Sequence, residues 1–75
     1  MDITQIKEGK KCKVVEIQSG RGMQRKLDAL GIRPGIEITK INSQVFRGPI
    51  IVQVGNTKVA IGYGMARKII VEHKS

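Results

Sequence analysis

A stop and a turn packed into the run Leu30-Gly31-Ile32-Arg33-Pro34-Gly35 constrain this chain more than any other feature. Upstream, Met23, Leu27 and Leu30 stand at spacings of four and three, which lays one apolar stripe along a helix and leaves Gln24, Arg25, Lys26 and Asp28 on the other face. Gly31 follows where a helix commonly closes in a left-handed residue, which glycine adopts without a Cβ penalty, and Pro34 cannot continue a helix. Arg33-Pro34-Gly35 reads as a tight turn, because proline presets φ and glycine tolerates its positive values. Beyond it the period changes to two, with Ile36 and Ile38 alternating with Glu37 and Thr39. A short amphipathic helix hands over to a strand, and the strand needs a sheet to join.

Composition says how much sheet. Isoleucine and valine number 19 against 2 leucines, and branched Cβ atoms pack well on pleated surfaces while losing rotamer freedom in helices. The chain is expected to be mostly β. Its 75 residues make one domain, residues 1–75, and a domain of that size buries only about 60 per cent of its unfolded surface. Phe46 and Tyr63 are the only aromatics, so the core must be aliphatic.

Ile3 and Ile6 flank a polar start, and Glu8-Gly9-Lys10 is a turn into the first strand. There Cys12 and Val14 share one parity while Ile17 falls on the other; one extra residue, a β-bulge near Val15, reconciles them. Ser19-Gly20-Arg21-Gly22 connects to the helix, with Ser19 too far upstream to cap it. The glycine spacing fits neither the P-loop nor the dinucleotide fingerprint. Asn42-Ser43-Gln44 and Phe46-Arg47-Gly48-Pro49 are loops before a strand carrying Ile50, Val52 and Val54 on one face. Gly55-Asn56 is a two-residue hairpin turn, and Val59 and Ile61 continue on the return strand. Tyr63 to Lys68 forms a second helical turn, weakened by Gly62 and Gly64, before Ile69 and Val71 close the sheet. Five short strands with one short helix suggest a small barrel, since closure removes exposed edges.

No catalytic constellation is visible among one histidine, one cysteine and six scattered acids, so no enzyme, cofactor or metal site is expected. His73 stands in a polar tail without a second ligand, Cys12 falls on an inward face, and Met23 and Met65 belong with the core. A single cysteine cannot form an internal disulfide, and the chain shows no leader or long apolar run; both point to the cytoplasm. The net charge of +8 invites a nucleic-acid reading through Lys7, Lys10, Lys11 and Lys13 with Arg21 and Arg25. Two aromatics are few for stacking bases, which argues against it.

The run Leu27, Leu30-Gly31-Ile32, Pro34-Gly35 and Ile38 resembles the signature of the FeoA family, small accessory proteins of ferrous iron transport. Gly48-Pro49-Ile50, Val59-Ala60-Ile61, Ala66, Ile69 and Val71 extend the resemblance over nearly the whole chain, with Gly62 and Gly64 departing from it. It implies an SH3-like barrel and an accessory or regulatory role in which the chain docks on the FeoB iron permease, at its G-protein domain or cytoplasmic face, without inserting in the membrane. Candidate contact residues are Arg21, Gln24, Arg25 and Asp28 on the polar helix face, with Phe46 and Arg47 on a loop expected nearby; an exposed aromatic beside an arginine is a frequent interface anchor. Three other readings stand beside docking. One is a nucleic-acid module, since Lys13 to Gly22 weakly resembles the KOW motif until the helix replaces its next strand. Another is a stand-alone relative of the C-terminal domain of iron-dependent repressors. The third is an arginine finger on the partner's GTPase from Arg21 or Arg25.

Overall fold

Helix and sheet meet where the sequence changes period. The computed structural model describes residues 1–42 and 46–74. A one-turn 3-10 helix, Ile3–Gln5, precedes β1 Lys11–Ile17, α1 Arg21–Ala29, β2 Glu37–Asn42, β3 Ile50–Val54, β4 Thr57–Ile61, α2 Tyr63–Ala66 and β5 Ile69–His73. The strands form one antiparallel sheet in the order β4-β3-β2-β1-β5.

The inward residues of all five strands meet in one aliphatic cluster that also takes in Ile3, Ile6, Leu27, Ile32 and Ala66, so the sheet curls around a single core. The pairing of β1 with β5 shifts between Val14 and Glu16. That bulge lets Cys12, Val14 and Ile17 all face inward and leaves Val15 49% exposed. Gly55, at φ 59, opens the two-residue turn between β3 and β4.

The helix stop works as the sequence implies. Gly31 sits at φ 87, with its N–H donating to the Asp28 carbonyl at 2.9 Å, while the Ile32 N–H donates to Leu27 at 2.9 Å. The Ile36 N–H reaches back to the Arg33 carbonyl at 3.2 Å across Pro34 and Gly35, the latter at φ 95. Leu30 departs from the expected stripe. It caps the helix at ψ 0 and is 42% exposed, and fully buried Ile32 beyond the turn takes the place expected of it in the core.

Two further differences, and one feature not anticipated, have local causes. Asn42 was expected in a loop but ends β2, where pairing with β3 shifts by one residue between Lys40 and Asn42; Ser43 and Gln44 lie outside the described residues. The barrel does not close by hydrogen bonds between β4 and β5. Helix α2 links these strands and drops Ala66 into the core, while the N-terminus extends the β5 edge, with Asp2 bridging Ile70 and the Val71 N–H donating to the Met1 carbonyl at 2.8 Å. Lys40, third, points inward and is only 4% exposed. Its Nζ donates to the carbonyls of Ile6 at 2.7 Å and Thr4 at 3.1 Å, which pins the N-terminal turn across the end of the sheet.

Candidate functional site

The charges at the start of helix α1 run against the usual preferences. Its N-cap, Gly20, is a common one but offers no side-chain acceptor; its first turn holds no acid, and its first residue is Arg21. A cation at the positive end of the helix dipole is unfavourable, and a like charge one turn on, at Arg25, adds a repulsion of a few tenths of a kcal/mol. Neither arginine meets an acid among the described residues. Two unfavourable charge placements therefore fall on one face of α1.

That face borders a groove of about 570 Å³. Arg21, Gln24, Arg25 and Asp28 all line it, so the four residues expected on the polar helix face do come together. Beneath them lie Val15, turned outward by the bulge, with Ile17, Ile32 and Pro34. Exposed Val15 thus lines the groove, and the parity break that marks the bulge is its signal in the sequence.

The four differ in what they have left to offer. The Gln24 amide donates to the carbonyls of Ser19 at 2.8 Å and Ile17 at 3.4 Å, so it ties the helix start to the end of β1. Asp28 is taken by Arg33, Nε to carboxylate at 2.8 Å, across the helix stop. Arg21 and Arg25 pair with no acid among the described residues; they border Val15, Ile17, Ile32 and Pro34, and Glu16 and Arg33 line the same groove. Phe46 and Arg47 line none of this groove. They sit on a separate cavity with Thr4, Lys40, Gly48 and Tyr63, so the structure does not join them to the helix residues. Phe46 is 88% exposed, with the Arg47 guanidinium 5.2 Å from its ring centre.

The lysine cluster is not a uniform basic face. Lys13 lies between Glu37 of β2 and Glu72 of β5, and Lys74 pairs with Glu37 at 3.1 Å, which holds the Glu37 carboxyl below its ordinary range. Cys12 is buried, with its thiol directed to the Ile38 carbonyl at 3.7 Å, and burial pushes its pKa from 9.0 up to about 11 despite the opposing charge of Lys40. A thiol so held is a core residue. Met23 and Met65 likewise pack against the core. Among the described residues, no three His, Cys, Asp or Glu side chains gather into a metal-holding group, and no helix is long and apolar enough to cross a membrane.

A five-stranded antiparallel sheet curled on one aliphatic core, with a helix between its first two strands and cation-lined grooves outside, defines a small SH3-like β-domain. Comparison with known proteins narrows the class. Residues 1–73 match the FeoA domain, and the chain belongs to the FeoA family. It is 38% identical over 66 residues to a candidate Fe(2+) transport protein A of Methanocaldococcus jannaschii, covering 88% of this chain and 78% of that protein. A crystal structure of an iron uptake regulatory protein, FeoA, superposes with a TM-score of 0.86 at 35% identity, covering 96% of this chain and 93% of the other. The zinc complex of Stenotrophomonas maltophilia FeoA, described as a prokaryotic SH3 domain protein and suggested activating factor of ferrous iron transport, gives 0.81 at 25% identity, covering 96% and 89%.

Proposed function

We propose that this chain is an accessory protein of ferrous iron uptake that works at the cytoplasmic face by docking on the FeoB permease, and that the α1 groove is its docking surface. Family membership supports the transport role. One observation supports the surface: Arg21 and Arg25 stand unpaired at the start of α1, over exposed Val15. The partner surface that fits is an acidic segment with an apolar residue projecting between its carboxylates, since two guanidiniums can each take a carboxylate in a fork while Val15 excludes water between them. Phe46 and Arg47, on another cavity, fall outside this face. The alternation of Glu37, Lys13 and Glu72 across the strands disfavours a phosphate-tracking surface there. Titrating the chain against the isolated cytoplasmic domain of FeoB tests the reading. A saturable complex is expected, and no complex at high micromolar concentration rejects it.

A further inference from the structure

At the N-terminal turn cations are put to the opposite use, independently of docking through α1. Lys40 is buried without an acid: its ammonium donates to two carbonyls, and no carboxylate meets it among the described residues. A buried cation with no counter-charge is costly unless something compensates it, and an ammonium has a third proton to give.

Lys40 lines a cavity of about 320 Å³ with Thr4, Arg47 and Tyr63. The same Thr4, Arg47 and Tyr63 also line a cavity of about 590 Å³ whose wall includes Arg67 and Asp2. The two spaces share three residues and gather three cations. The one acid is already engaged, since the Asp2 carboxylate accepts from both the N–H and the hydroxyl of Thr4 in a capping box. Arg47 is held at φ 59, the sole described residue other than glycine with positive φ. A residue with a Cβ adopts such a backbone only under constraint, and it needs a reason. Here it accompanies a guanidinium stacked on Phe46 at the cavity rim.

We propose that these two cavities, which share Thr4, Arg47 and Tyr63, form a site for a phosphate-class oxyanion, held by Lys40, Arg47 and Arg67 with the Tyr63 hydroxyl. Three cations suit a group carrying more than one negative oxygen, and the two planar guanidiniums can each grip a pair of them. Inorganic phosphate and the headgroup of an anionic phospholipid present the same chemistry. Phe46 distinguishes the sources, because only at a membrane surface does an 88% exposed ring gain by entering the acyl boundary.

The test has two arms on the full chain. In one, inorganic phosphate is titrated while backbone amide shifts are followed by NMR; in the other, binding is measured to vesicles of phosphatidylcholine with and without phosphatidylglycerol. Arg47→Ala and Arg67→Ala, which alter exposed side chains, should each weaken binding about tenfold, the scale of one charge-assisted contact. Lys58→Gln, on β4, should change it less than about twofold, as a peripheral charge does. Saturable phosphate binding that depends on both arginines supports the site with free phosphate as ligand. Vesicle binding that depends on both arginines and falls with Phe46→Ser supports it with lipid as ligand. No saturable binding in either arm, or binding as sensitive to Lys58 as to Arg47 and Arg67, overturns it.

Discussion

The Lys40 ammonium donates to the Ile6 carbonyl at 2.7 Å, a side chain on β2 fastening a stretch of backbone 34 residues earlier. With its second bond, to Thr4, this contact holds the one-turn helix that seals the end of the core with Ile3 and Ile6.

Lys40→Met should therefore lower stability by about 2 kcal/mol. The apolar stem is kept, but two carbonyls lose charge-assisted bonds, each of which is worth about 1.5–3 kcal/mol before relief of the buried charge is subtracted. Urea unfolding measures this, and hydrogen exchange at the N-H of Ile6 reports whether the N-terminal turn has been freed. A midpoint equal to that of the parent chain would mean that Lys40 anchors nothing.

Gly31→Ala should cost about 1–2 kcal/mol, because φ 87 is a conformation that a Cβ penalises. The added carbon would also meet the Val54 Cγ1 at 3.2 Å, so β3 has to give slightly. Thermal melting should show a midpoint several degrees lower, as expected for a domain of this size. No shift would show that the helix stop can relax into another turn.

Much of this was legible beforehand because the rules involved are local. Gly31, Pro34 and Gly35 mark the helix stop through backbone sterics alone, and the parity break from Val14 to Ile17 marks the bulge. Lys40 was not legible. Its parity with Ile38 places it inward while its charge places it outward, and the conflict is settled by carbonyls distant in sequence. The same holds for Gln24, whose amide is consumed at the end of β1, and for Phe46, whose separation from α1 follows from strand order. Leu30 failed for a narrower reason: its helical spacing holds only while the backbone is helical, and the helix ends at Ala29.

The Cys12 thiol should resist modification in the folded state and respond to alkali. Its folded pKa is raised from 9.0 to about 11, so the folded form retains the proton more tightly. This stabilisation is complete below about pH 9 and is lost as pH rises toward 11, an effect of about 3 kcal/mol at most. Urea midpoints from pH 8 to pH 11 should fall more steeply for the parent chain than for Cys12→Ala. Parallel slopes would place the thiol in contact with water.

Ferrous iron or zinc, added anaerobically, should show no stoichiometric site by calorimetry. His73 is exposed and Cys12 is protonated in the core, and no other soft ligands join them among the described residues. A saturable one-to-one isotherm with micromolar or tighter affinity would contradict this.

Docking through α1 is tested most directly by separating two kinds of charge. Binding to the cytoplasmic domain of FeoB is measured at two salt concentrations for Arg21→Ala with Arg25→Ala, and for Lys7, Lys10, Lys11 and Lys13 all changed to Gln. The arginine variant should bind about tenfold more weakly or worse, as loss of anchor residues does. The lysine variant should stay within about threefold of the parent chain, because peripheral charges act mainly on association rate. Binding that survives loss of both arginines but collapses with the lysines, alongside nanomolar binding of the parent chain to an unrelated nucleic-acid duplex, would contradict docking through α1 and make the lysine face the functional one.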